Sequence, residues 1–178
     1  MASLASLVAA CRAAAASAHP EDAVAAVLRD VTEAPGEWGP VFARDVTTAD
    51  ERGVALLHID DVVTVMHVDL EPGFTSRVHD HGTWAVISVY EGQEDNTFYE
   101  LRHDRPEVDR VVEVPAPGLI HMAAADIHHI HNPSKVRLRA VHVYGGDLRT
   151  TLRASWNLET GVRTPEGGSE GAVPPDQR

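Results

Sequence analysis

The 178-residue chain has a single cysteine, so no disulfide can form within it, and Cys11 is compatible with a reducing compartment. Basic residues are few: 15 Lys and Arg stand against 27 Asp and Glu, a formal net charge of -12. Such a surplus repels phosphate backbones and anionic lipid, which argues against nucleic-acid or membrane-surface partners. No apolar run reaches the roughly 18 residues that a membrane span needs. The Ala-rich start, Met1 to Ala18, lacks the basic region that opens a secretory signal, and Arg12 interrupts its apolar stretch. It reads as a helix, and a cytoplasmic protein is the expectation. No internal repeat is evident. What is present suits one globular domain: 43% of residues are hydrophobic and 24% charged.

The chain divides into three textures. Residues 1–37 read as a helical cover of two helices. In the second, Pro20 suits a first turn, and Glu21 and Asp22 favour the positive end of the dipole. Val24, Val27, Leu28 and Val31 form one apolar stripe, and Ala34-Pro35-Gly36 ends it. Residues 38–160 carry short runs rich in Val, Ile and Leu: Val54–Ile59, Val62–Leu70, Trp84–Tyr90, Val108–Val114 and Val136–Tyr144. Turn residues such as Asp60-Asp61, Glu71-Pro72-Gly73 and Gly145-Gly146 separate them. Many short strands with regular turns predict a mainly β sandwich or barrel. Residues 161–178, rich in Gly, Pro and Glu, read as a disordered tail.

Eleven histidines include two His-x-His pairs, His79/His81 and His129/His131. Such a pair is common on a strand without any ligand. The first pair stands between turn glycines Gly73 and Gly92, and a strand period of two puts His79 and His81 on one side, where two imidazoles can chelate one metal. In a closed barrel a third ligand can come from a distant strand, and His128 is the candidate. His129 and His131 then point the other way. His67 and His121 read as structural or surface residues, and Trp84 and Trp156 as packing residues. Arg77, two residues before His79, either shares the metal-facing side and grips an anion or lies at the strand mouth in solvent.

This stretch resembles the two cupin motifs, G-x5-H-x-H-x3-E-x6-G and G-x5-P-x-G-x2-H-x3-N. Gly73, His79, His81 and Gly92 match the first, with Ala85 at the Glu position; His128 and Asn132 remain of the second, with Ala123 and Ala125 replacing its Pro and Gly. A cupin with three histidines and no glutamate resembles the bacterial thiol dioxygenases of the cysteine dioxygenase-like group. So do the runs from His79 to Gly92 and from Ala140 to Asp147, and the likeness covers about residues 40–157. The resemblance implies a single double-stranded β-helix barrel with N-terminal helices and Fe(II) on His79, His81 and His128. It also implies a small thiol and O2 as partners, with a sulfinate as product.

It further implies catalytic roles for Tyr144 and His142, the last two members of a Ser-His-Tyr relay in which Ala140 replaces the serine. The Tyr144 hydroxyl would hydrogen-bond dioxygen or a substrate carboxylate, oriented by His142; the plain alternative is a buried tyrosine whose hydroxyl is merely satisfied. Relatives draw an Arg or Gln from an earlier strand to bind the carboxylate, whereas Val54–Ile59 offers only His58 as a polar candidate. His58 and Arg77 are therefore the substrate-binding candidates. With no Cys in Ala85–Ile87, no thioether to the tyrosine is expected. Two rival readings stay open: a metal cupin acting on another small molecule, and a cupin that only binds. Monomer and homo-oligomer are equally compatible with the sequence.

Overall fold

The computed structural model describes residues 2–45 and 49–167. Three helices lead the chain: α1 (Leu4–Ala15), α2 (Pro20–Glu33) and α3 (Pro35–Asp45). A capping box between Ser3 and Ser6 opens α1, and Pro20 occupies the first turn of α2. The third helix corrects the reading in which residue 38 begins the barrel. Pro35, Gly36, Gly39 and Pro40 make its sequence look like loop, yet Trp38, Val41 and Phe42 come onto one buried side. Tertiary packing outweighs poor propensity here.

Eleven strands follow: β1 (Val54–Ile59), β2 (Val63–Leu70), β3 (Val78–His79), β4 (Ala85–Glu91), β5 (Gln93–Arg102), β6 (Arg105–Pro115), β7 (Gly118–Met122), β8 (Ile127–His131), β9 (Leu138–Gly145), β10 (Arg153–Trp156) and β11 (Arg163–Glu166). They form a five-stranded sheet, β1-β2-β9-β4-β7, and a six-stranded sheet, β11-β10-β3-β8-β5-β6. Strand β11 corrects part of the expected tail, because its backbone pairs with β10 from Arg163↔Trp156 to Glu166↔Arg153. Residues 168–178 of that expectation lie outside the described residues.

Both faces of the first sheet are buried, which explains the unbroken apolar runs of β4 and β9. Val86, Val141 and Val143 turn towards the helices, where Val24, Leu28 and Val31 of α2 meet them. Ala85, Ile87, Ala140 and Tyr144 turn into the barrel. Each large aliphatic side chain buried in this way contributes about 1.5–3 kcal/mol. Cys11 belongs to the helical layer, and burial pushes its thiol up to about 12, so it is inert as a nucleophile. No helix among the described residues is long and apolar enough to cross a membrane.

Between α3 and the sheet sits His67 of β2, 5% exposed, its Nε2 2.6 Å from the Tyr90 hydroxyl and its Nδ1 without a partner. Burial above all, with Arg139 and His142 adding to it, lowers its pKa from 6.5 to about 4. The folded state therefore favours neutral His67, while the unfolded chain takes up a proton below about 6.5. The resulting stability is fully present above about 6.5 and is lost as pH falls towards about 4. It amounts to on the order of 3 kcal/mol. His67→Gln should flatten that part of the stability–pH curve in urea unfolding. Equal losses in variant and wild type across the window would show that His67 titrates normally in the fold.

Candidate metal centre

His79 ends β3 and lies opposite His128 of β8 in register. The chain leaves the strand there, so His81 stands in the loop beyond rather than on the strand. Asp80 holds that loop to β10: its carboxylate accepts the Ala154 N–H at 2.8 Å, and its own N–H donates to the Ala154 carbonyl. Gly82 follows with φ +64, and a Cβ there would overlap the Leu152 carbonyl, so the sharp exit requires glycine. By these devices His81 faces the same cavity as His79.

The three rings converge. Their centroids lie 5.0 Å apart for His79–His81, 4.7 Å for His79–His128 and 4.9 Å for His81–His128. One nitrogen from each lies within 4.8 Å of the others, so the group could hold a metal ion. The outer nitrogens show which ones. His79 Nδ1–H donates to the Arg77 carbonyl at 2.8 Å and His128 Nδ1–H to Asn96 Oδ1 at 2.8 Å, which leaves Nε2 of each as a lone pair. His81 Nε2 and His128 Nε2 face each other at 3.3 Å. Burial lowers all three pKa values, and mutual repulsion adds to this at His81 and His128. Neutral imidazoles with converging lone pairs are the form a divalent transition metal takes.

Beside the cluster, the Tyr144 ring lies 4.9 Å from His81, and its hydroxyl is 3.0 Å from His142 Nδ1. Burial first, and then the nearby Glu94 charge, raises the Tyr144 pKa well above the ordinary range, so the phenol stays protonated. Ala140, where the resemblance would place a serine, is fully buried and apolar. His142 instead turns its Nε2 to Glu94 Oε2 at 3.2 Å. Glu94 Oε1 accepts from Asn96 Nδ2 at 3.0 Å, and Asn96 Oδ1 accepts from His128. A buried chain of hydrogen bonds thus runs from Tyr144 to a ligand candidate. Sequence reasoning missed Glu94 and Asn96. The available signal was their spacing of two with Phe98, an alternation in which polar residues take the inward places.

Tyr144, His142, His79 and His81 line one cavity of about 210 Å³, below the roughly 300–1,000 Å³ of drug-sized sites. Its apolar wall includes Met66, Phe74, Ile130 and Leu148. Arg77 joins the lining with most of its side chain exposed, its Nη2 3.2 Å from Glu166 Oε1. Arg153, also in the lining, has Nε 3.6 Å from Glu166 Oε2 and donates from Nη1 to the Leu148 carbonyl at 2.6 Å. Although burial opposes it, Ser155 and the two arginines hold the Glu166 carboxyl below its ordinary value.

His58 does not reach this cavity, which corrects its reading as a substrate ligand. The β1–β2 register shifts between Leu56 and His58, and the bulge breaks the alternation that would have set His58 beside Val54. Val54 lines the histidine cavity, whereas Leu57 and His58 line a groove under α1. There His58 Nε2 lies 2.9 Å from Asp60 Oδ2, which Arg12 of α1 also reaches at 2.6 Å. His129 and His131 bind elsewhere, at the Tyr99 hydroxyl (2.8 Å) and at Thr75 Oγ1 (3.0 Å).

No protein-family model matches the chain. Among solved structures, an uncharacterised conserved protein with a double-stranded β-helix domain from Klebsiella pneumoniae is similar over 64% of this chain and 91% of its own. Identity is 13% and the TM-score 0.52. An oxalate oxidase in complex with the substrate analogue glycolate is similar over 57% of each chain, at 18% identity and TM-score 0.47, so this chain spans little more than half the length of that enzyme. An RmlC-like cupin family protein from Methanocaldococcus jannaschii is similar over 59% of this chain and 86% of its own, at 16% identity and TM-score 0.47. The barrel is a double-stranded β-helix. Its three-histidine group makes it a candidate metal-binding barrel.

Proposed function

We propose that the protein is a non-haem Fe(II) thiol dioxygenase, cytoplasmic, acting on cysteine or a related small thiol carboxylic acid. The reaction is R–SH + O2 → R–SO2⁻ + H⁺: sulfur loses four electrons, dioxygen takes them, and the thiol proton goes to solution. The observation that carries this reading is the ligand set itself: three neutral imidazoles, with no carboxylate in the group among the described residues, and the Tyr144 ring beside His81. Bound Fe(II) would bring thiol and dioxygen together and carry electrons from sulfur to oxygen. Three neutral ligands leave its double charge uncompensated, which favours an anionic thiolate over a neutral donor. The apolar wall suits the carbon skeleton of a small thiol, and Tyr144 offers one oriented polar contact. A substrate carboxylate would meet Arg77 and Arg153, whose two charges share the single carboxylate of Glu166.

That shared carboxylate also favours a second reading, a metal-dependent cupin acting on another small molecule, because Glu166 already engages the cations that an acid needs. Oxygen uptake by the Fe(II)-loaded protein with cysteine, 3-mercaptopropionate and cysteamine tests the choice. Uptake with an acidic thiol supports the first reading, and none with any thiol leaves the second. Arg77→Ala and Arg153→Ala should each raise KM for the acidic thiols about tenfold, the loss expected of a charge-assisted hydrogen bond, with kcat and iron content little changed. Cysteamine, which has no carboxylate, should show no such rise. Unaltered KM in both variants would remove the arginines from substrate binding.

A further inference from the structure

Glu94 is fully buried on β5, has no part in the cupin motifs, and is not itself among the residues that line the cavity. Its two oxygens nevertheless engage two different arms. Oε2 lies 3.2 Å from His142 Nε2, and Oε1 lies 3.0 Å from Asn96 Nδ2. Asn96 Oδ1 lies 2.8 Å from His128 Nδ1, and His142 Nδ1 lies 3.0 Å from the Tyr144 hydroxyl. Every member of this chain is at most 6% exposed.

We infer that Glu94 is a positioning residue that sets the tautomers of two imidazoles at once and, through one of them, the direction in which the Tyr144 hydroxyl points. The argument is one of donor and acceptor count. A carboxylate only accepts. It therefore receives Nε2–H of His142, whose Nδ1 is left as a lone pair. The Tyr144 hydroxyl donates to that lone pair and turns its oxygen's lone pairs towards the cavity. On the other arm the carboxylate receives the Asn96 amide N–H, so the amide carbonyl must face His128. That carbonyl holds the proton on His128 Nδ1 and frees Nε2 for a metal.

The consequence is specific to this chain. With Ala140 where the resemblance would place a serine, residue 140 offers no hydroxyl, and His142 Nε2 engages a carboxylate from β5 instead. On the thiol reading proposed above, Tyr144 then meets the substrate as an acceptor of a hydrogen bond. It would serve an N–H donor, such as the ammonium of cysteine, and not a second acceptor such as a carboxylate.

Replacing Glu94 by glutamine tests this, because an amide accepts on one arm and must donate on the other. With His128 Nε2 held by metal, its Nδ1 proton and the Asn96 orientation are fixed, so the new N–H falls on the His142 side. The experiment is nitrogen-15 NMR of histidine-labelled, Zn(II)-loaded protein, which reports the protonated nitrogen of each ring. Wild type should show His142 protonated at Nε2 alone and His128 at Nδ1. Glu94→Gln, at unchanged zinc stoichiometry, should move the His142 proton to Nδ1. A wild-type His142 protonated at Nδ1, or a variant that keeps the Nε2 tautomer, would overturn the inference; the wild-type result decides it alone should the variant not fold. Neither thiol nor dioxygen enters this measurement, so its failure is separate from failure of the thiol reading. If both stand, Glu94→Gln should lower kcat by about tenfold to a hundredfold at little-changed KM, the range for outer partners of metal ligands.

Discussion

Replacing His128 by alanine is expected to empty the metal site while the barrel stays folded. His128 is fully buried, lies in register with His79, and faces His81 nitrogen to nitrogen. Its loss removes one of only three ligands and leaves the Asn96 carbonyl without its donor. Metal affinity should fall by more than about a hundredfold, beyond what loss of an outer partner costs. Metal analysis after dialysis reads this directly. The control is His129→Ala one residue on, whose ring turns to the Tyr99 hydroxyl instead. That variant should retain metal in full. Stoichiometric metal in His128→Ala, or loss in His129→Ala, would mean that the ligand on β8 is wrongly assigned.

Phe42→Ala should be the most destabilising single truncation in the helical layer. Phe42 is 2% exposed on α3, with ring centroids 5.8 Å from Trp38, 5.0 Å from His67 and 5.5 Å from Tyr90. A buried phenylalanine cut to alanine costs about 3–5 kcal/mol, since close-packed neighbours relax only partly into the void. Urea unfolding at neutral pH measures it. A loss below about 1 kcal/mol, of the kind seen at a surface position, would show that α3 is not docked on the sheet as described. Metal content should stay unchanged, because the layer lies on the far side of β4 and β9 from the histidines.

The parts of this fold that were legible in the sequence are those where burial and apolar character coincide. Strands β1, β2, β4 and β9 announce themselves because aliphatic residues occupy most of their inward and helix-facing positions. The metal ligands were legible for a different reason: two-residue spacing within a turn-bounded segment, joined by resemblance to known motifs. Strand β5 is the instructive omission. Its inward positions hold Glu94 and Asn96 before Phe98, so a search for apolar alternation passes over it, although it carries the hydrogen bonds behind the site. Helix α3 was hidden by two prolines and two glycines. His58 was misplaced by a bulge, a one-residue feature that reverses which side chains face inward. Polar burial and local backbone irregularity are set by tertiary context, and hydrophobic pattern does not record them.

The most direct test of the account is the fate of labelled dioxygen. Fe(II)-loaded protein should be given cysteine or 3-mercaptopropionate under ¹⁸O2, and the product's mass measured. The account predicts a sulfinate carrying both labelled atoms, with one O2 consumed for each thiol lost. Protein that holds one iron per chain yet forms no labelled sulfinate from any small thiol would contradict it.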